Sequence, residues 1–266
     1  MKPDQNRIVV KVGSSSLTNE LGKSDLRSFD RLACVLANIQ NMGYEVILVS
    51  SGAIAVGTHK LRLKNRPTSI RLKQAAAAVG QGSVIRLYGK FFRDYDKTIA
   101  QILLRAEDIE HAEKKENLIH TFDALLETGV IPIVNENDAV GSAGVESEQR
   151  LFRDNDMLSA NVAILCRAQK LVLLSDIDGL YDSDPRLHPN AQKIHRIERI
   201  DDSVYAHAGG AGSRRGTGGM KTKLQAASLA TAHGIDTTIT NGKNPEALYD
   251  ILQGGNAGTL FPGRPA

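Results

Sequence analysis

RIVVKV at Arg7–Val12 and EVILVS at Glu45–Ser50, with one long helical pattern between them, decide the fold. In the first run Ile8, Val9, Val10 and Val12 leave almost no polar position, the pattern of a strand covered on both faces. Between the runs Leu32, Val35, Leu36 and Ile39 recur at helical spacing. Ser24 is placed to cap a helix over Asp25–Met42, and Gly43 to end it. A strand, a helix and a second buried strand make a parallel pair, because parallel neighbours need a crossover connection.

The alternation continues outward from this unit. Ser51–Gly52 is a tight exit into another helix, and Thr68–Tyr95 reads as mostly helical, its Ala75–Ala78 run and Gly80 predicting close contact with a neighbour. Thr98–Leu104, Val130–Val134, Lys170–Ser175 and Ile235–Asn241 read as strands. Lys114–Thr128, Asn155–Arg167, Leu224–His233 and Asn244–Gln253 read as helices, and Lys193–Ile200 as a short edge hairpin. Asn135–Asp154 is polar, carries Gly141 and Gly144, and reads as a hairpin or flexible excursion. No repeat, low-complexity tract or linker interrupts the pattern, so residues 1–266 read as one domain. The expected class is α/β, with a mainly parallel sheet and helices on both faces.

Composition narrows the function. Hydrophobic content of 41% and charged content of 24% are those of an ordinary globular chain, and no apolar run approaches the length of a membrane span. The start, MKPDQNR, has no apolar signal segment, so a cytoplasmic location is expected. Aromatics make up 5% and Trp is absent, which leaves few stacking platforms for nucleic acid; the net charge of +3 sits in short basic loops that suit a small anion better. Cys34 and Cys166 lie in helix-like apolar patterns and read as core packing.

Two loops carry the chemistry. GGAGSRRGTGGMKTK at Gly209–Lys223 holds six glycines and a cluster of cations and runs into a helix. Backbone N–H groups, the positive end of a helix dipole and lysines converge there, as a polyphosphate requires. It is not a P-loop, because Gly218-Gly219 is followed by Met220-Lys221-Thr222-Lys223 rather than Lys-Ser/Thr. Lys223, at the helix opening, is the candidate catalytic cation, and Lys221 should point elsewhere. Far upstream, Lys11 interrupts an apolar strand just before Gly13 and Ser14. It is either an edge-strand lysine reaching water or a ligand for a fixed phosphate, which the glycine and serines behind it favour. Asn135-Glu136-Asn137-Asp138 and Asp154-Asn155-Asp156 are dense amide–carboxylate clusters that could be turn chemistry, with Asp154 a helix cap, or could hold lysines, Mg2+ or a substrate ammonium. Ser175–Tyr181 leaves a buried strand and could cup an adenosine, with Asp176 accepting hydrogen bonds, or simply form a turn. Of the scattered histidines His207 alone lies near the basic loop, and no nucleophile elbow accompanies them.

VKVGSSSLT at Val10–Thr18, VSSGAIAVG at Val49–Gly57, NENDAV at Asn135–Val140, RDNDMLSA at Arg153–Ala160, LLSDIDGLYDSDPR at Leu173–Arg186 and GTGGMKTKLQAA at Gly216–Ala227 together resemble the amino acid kinase family, in its branch that phosphorylates glutamate. The resemblance implies a three-layer α/β/α sandwich on about eight strands, with ATP and L-glutamate end to end across the carboxyl edge of the sheet. It implies ATP-dependent phosphorylation of the γ-carboxylate, the first step of proline synthesis. Lys11 and Lys223 would hold the transferring phosphoryl group, and Asp156 would position them. Ser51, Gly52, Asp138, Asn155 and Asp154 would surround glutamate. Lys11, Gly13, Ser14, Ser175, Asp176, Thr217, Gly218, Gly219, Met220, Lys221, Thr222 and Lys223 would line the nucleotide, with Mg2+ carried by ATP. Proline as feedback inhibitor, a dimer or tetramer, and hand-off to glutamyl phosphate reductase are implied too. The chain departs from the family pattern at Arg153, often Gly, and at Ser14 and Ser175, where Thr is common but the hydroxyl is kept. It ends at Ala266, so the C-terminal PUA domain of many relatives is not expected.

Overall fold

The computed structural model describes residues 6–264 apart from 20, 142–153, 186 and 209–218. In chain order its elements are β1 (Arg7–Val12), α1 (Ser14–Leu17), α2 (Leu26–Asn41), β2 (Glu45–Val49), α3 (Ala53–Lys60), α4 (Ile70–Asp94), β3 (Ile99–Leu104), α5 (Ala106–Glu110), α6 (Ala112–Glu127) and β4 (Ile131–Glu136). There follow α7 (Asn155–Leu165), β5 (Lys170–Ser175), β6 (Leu180–Tyr181), β7 (Lys193–Ile194), α8 (Asp202–His207), α9 (Met220–Thr231), β8 (Asp236–Asn241), α10 (Ala247–Leu252) and β9 (Thr259–Phe261). The main sheet has seven strands in the order β3-β4-β2-β1-β5-β8-β9, against the expected eight or so. All its pairings are parallel except that of β9, which runs antiparallel to β8 with Phe261 opposite Thr237. The edge hairpin expected over Lys193–Ile200 does not form: Lys193–Ile194 instead pairs with Leu180–Tyr181 in a separate two-stranded ribbon, and Arg196 bridges Leu260.

β1 occupies the centre, with Val10 between Leu48 of β2 and Val172 of β5. The edge-strand reading of Lys11 is therefore excluded. Alternation along β1 sorts its side chains between two cores. Ile8, Val10 and Val12 pack with Phe29 and Leu32 of α2, Tyr88 and Phe92 of α4, and Leu248 of α10. Val9 packs on the opposite face with Phe122 of α6, Leu158 of α7 and Leu224 of α9. Each such fully buried aliphatic or aromatic side chain contributes about 1.5–3 kcal/mol. Lys11, two residues beyond Val9, shares that second face and so points at α7 and α9. Sheet periodicity alone aims it.

The cap of α2 is Asp25, one residue after the expected Ser24: its carboxylate accepts from the N–H groups of Arg27 and Ser28, while Ser24 pairs with Thr18 in an isolated bridge. Helices α3 and α4 meet backbone to backbone, as the Gly80 signal predicts. A methyl group added at Gly80 would lie 1.7 Å from the Ala53 carbonyl oxygen, and one at Gly57 equally close to that of Ala76. Cys166 is buried and Cys34 half-buried, and neither is in a disulfide. Among the described residues no helix is long and apolar enough to cross a membrane.

The carboxyl ends of β1, β2, β4 and β5 open on one edge. The chain leaves β1 toward β2 on one side and returns as β5 on the other, the switch point where ligands of such sheets bind.

Candidate active site

At that edge Lys11, Asp156 and Lys223 meet. The Lys11 ammonium lies 2.6 Å from Asp156 Oδ1, and that of Lys223 donates to Oδ2 at 3.1 Å. Thr222 Oγ1 donates to the same Oδ2, also at 3.1 Å. The three charged residues are 6%, 1% and 7% exposed. Burial by itself would raise the Asp156 carboxyl; the two ammonium groups more than reverse this and hold it at about 2. Two cations against one anion leave a positive charge in excess, taken out of water, and a ligand anion would balance it. Among the described residues Asp156 is the acid that pairs with either lysine.

Each member arrives by a different element. Lys11 stands at the end of β1, over Gly13, where an added methyl group would sit 3.8 Å from its Nζ. Asp156 lies in the first turn of α7, capped by Asp154, whose Oδ1 accepts from the N–H groups of Asp156 and Met157. Helix α9 starts at Met220, not at the expected Leu224, with Gly219 as its cap. Lys223 therefore sits one turn inside it. Glycine-rich sequence disfavours helix, yet the Thr222 and Lys223 contacts to Asp156 anchor the first turn. Lys221 points out and is exposed, as expected.

Beside this cluster lies a polar pocket. Asn155 Nδ2 donates to Ser51 Oγ at 2.7 Å, to Asn135 Oδ1 at 3.1 Å and to the Ser50 carbonyl at 3.2 Å. Gly52 turns the chain between β2 and α3 at φ 98°, a left-handed conformation that L side chains rarely adopt, and lies against Ser14. The loops that follow β1 and β2 therefore touch. Burial pushes the Asp138 carboxyl above the ordinary range, opposed by Arg66. Asp154 is a helix cap, as one reading had it, but only through Oδ1: Oδ2 is buried and has no hydrogen-bond partner among the described residues. Asn135 carried no assigned role in the sequence reading; its position inside NEND was the available signal.

On the other side of β1, Ser175 ends β5, buried, and its hydroxyl donates to Asp176 Oδ1 at 3.1 Å. In the following loop Asp178 accepts from Tyr181 and pairs with Lys193, and the Asp184 carbonyl accepts from Leu187 and His188 in a turn. His207 is engaged by the Asp182 carbonyl. Thr217, Gly218 and Arg153, residues 209–216 of the basic loop and most of the Asn135–Asp154 excursion lie outside the described residues.

The model of the amino acid kinase family matches residues 6–241. The chain is 52% identical to a glutamate 5-kinase of Clostridium perfringens over 97% of its own length and 96% of that protein. It is 48% identical to a glutamate 5-kinase of Listeria innocua over 97% and 93%. Among solved structures, carbamate kinase from Giardia lamblia bound to AMP-PNP superposes with a TM-score of 0.68 at 16% identity, over 97% of this chain and 99% of that one. An isopentenyl phosphate kinase product complex from T. acidophilum gives 0.65 at 17% identity, over 96% and 99%. At such identities the structural likeness speaks for the fold; the sequence likeness speaks for the family. The chain belongs to the amino acid kinase family and, within it, to the glutamate 5-kinases.

Proposed function

We infer that the protein transfers the γ-phosphoryl group of ATP to the γ-carboxylate of L-glutamate, giving L-glutamyl 5-phosphate and ADP. The observation that carries the mechanism is the buried Lys11–Asp156–Lys223 cluster with its surplus positive charge. A carboxylate is ionised at neutral pH, so the acceptor needs no general base. One γ-carboxylate oxygen attacks phosphorus in line as the bond to the β,γ-bridging oxygen breaks, and that oxygen leaves with ADP. The obstacle is repulsion between two anions and charge building on the equatorial oxygens. Lys11 and Lys223 neutralise both, and Asp156 keeps the two ammonium groups aimed at one point.

Gly13, Ser14 and the start of α9 suit the phosphates, and Ser175, Asp176 and the Thr217–Lys223 segment the rest of the nucleotide. On this reading Mg2+ comes with the ATP phosphates, since Asp156 is already committed to Lys11 and Lys223. Such an ion would add to the neutralisation of phosphoryl charge. Glutamate takes the other pocket: Ser51 and Asn155 offer a hydroxyl and an amide, while Asp138 and the unspent Oδ2 of Asp154 suit its ammonium group. The same reading makes this a cytoplasmic homo-oligomer of the proline route, inhibited by proline and passing its labile acyl phosphate to a reductase.

Hydroxylamine traps acyl phosphates as hydroxamates. The expected signal depends on ATP and appears with L-glutamate but not with aspartate or N-acetylglutamate; signal with another acid alone would overturn the substrate assignment. For Asp138→Ala we expect the glutamate KM to rise about tenfold or more, as for loss of a charge-assisted hydrogen bond, with the ATP KM little changed. The opposite pattern in initial rates would show the pockets exchanged. Because burial raises the Asp138 carboxyl, wild-type glutamate KM should also climb as pH falls, beginning above the range of an ordinary aspartate.

A further inference from the structure

Helix α4 presents three polar side chains at a spacing of seven: Gln74, Gln81 and Tyr88. Seven residues are nearly two turns, so the three form one stripe, successive members about 10 Å apart along the axis. Each ends on a different part of the pocket assigned to glutamate. Gln74 Nε2 donates to the Gly141 carbonyl at 2.8 Å, closing the turn that carries Asp138. Gln81 Oε1 accepts from Asn135 Nδ2 at 2.8 Å, at the end of β4. The Tyr88 hydroxyl lies 2.9 Å from Ser50 Oγ, at the end of β2.

We propose that this stripe is a positioning ladder for the acceptor pocket, with Gln81 as its decisive rung. The polarity of the chain of bonds explains why. The Ser50 carbonyl can only accept, so Asn155 turns Nδ2 to it, Asn135 offers Oδ1 to Asn155, and Asn135 Nδ2 is left needing the Gln81 oxygen. Asn155 thus spends Nδ2 on Asn135, Ser51 and Ser50. That leaves its Oδ1 as the atom with no bond to the described residues, ready to accept from a ligand donor. Without the Gln81 oxygen, either orientation of the Asn135 amide leaves the pocket less ordered. Helix α4 can act as a fixed rail because Gly80 and Gly57 lock its backbone against α3, which starts directly after the Ser51–Gly52 turn. Tyr88 is fully buried, its ring 4.8 Å from that of Phe29, and burial pushes its hydroxyl up, so it is a neutral partner for Ser50.

The proposal rests on the acceptor pocket assigned above. Its test is steady-state kinetics of Gln81→Met, Gln81→Glu and Tyr88→Phe, with thermal unfolding of each. Gln81→Met keeps volume and removes the acceptor; the glutamate KM should rise about five- to tenfold, the worth of one buried hydrogen bond, with kcat and the ATP KM within about twofold. Gln81→Glu retains an acceptor and should recover most of the affinity. Tyr88→Phe keeps the ring packing and should raise the glutamate KM several-fold in the same selective way. Unchanged glutamate KM in both Gln81→Met and Tyr88→Phe, or losses falling equally on ATP KM and kcat, would overturn the ladder. If the wild type turns over another acid, the glutamate assignment falls, and the ladder is judged on the KM of that acid.

Discussion

Lys223→Ala lowers kcat by about a hundred- to a thousandfold, the loss seen when one preorganised donor to developing charge is removed, on the order of 3–4 kcal/mol. The magnitude follows from the place of the ammonium group, buried against Asp156 where water cannot substitute for it. Folding should suffer little. Removing Lys223 leaves Lys11 and Asp156 as a balanced pair at 2.6 Å, so no buried charge is orphaned. Kinetics and thermal unfolding of the same variant separate the two effects. A wild-type kcat would remove Lys223 from the mechanism, and a large loss of stability with unchanged kcat would make it a structural residue.

Asp156→Asn reverses the balance of damage. Two buried ammonium groups then face each other across a neutral amide, and breaking a buried ion pair by removing one partner costs about 3–5 kcal/mol. For a chain of this size that is a fall in Tm of roughly 10 °C. Turnover should fall with it, because the lysines lose the carboxylate that aims them. The effect has a pH signature. The Asp156 carboxyl is held at about 2 in the folded protein, against about 3.9 when unfolded. A depressed carboxyl stabilises the fold above the unfolded value and loses that contribution as pH falls through the folded one. The stability gap between wild type and Asp156→Asn should therefore narrow from about pH 4 down to about pH 2. A gap that stays constant across that window would show that the carboxylate charge is not what the lysines need.

Much of this was legible in the sequence, for reasons that can be located. β1, β2, β4 and β5 announce themselves because strands buried on both faces are apolar runs, and β8, DTTITN, by its β-branched residues. Lys11 stands out against one of them. Given the central position of β1, its direction follows from alternation with Val9. What sequence reading missed is short or long-range. β9 has three residues and α8 six, too few for a period to show. The early start of α9 was hidden by a glycine-rich stretch whose local preference is overridden by contacts with α7, sixty-odd residues earlier. The meeting of Lys11 and Lys223 on one carboxylate was suggested by a resemblance; the spacing of the residues does not contain it. Gln74, Gln81 and Tyr88 carry no motif at all, and their common stripe acquires meaning only once Asn135, Ser50 and Gly141 are found opposite it.

A double-mutant cycle on kcat, with Lys11→Ala, Lys223→Ala and the pair together, asks most directly whether both cations serve one phosphoryl group. The expected result is strong coupling: each single change removes most of the rate, and the double variant is far less impaired than the product of the two losses. Losses that multiply independently, or a single variant that keeps the wild-type rate, would contradict a shared role.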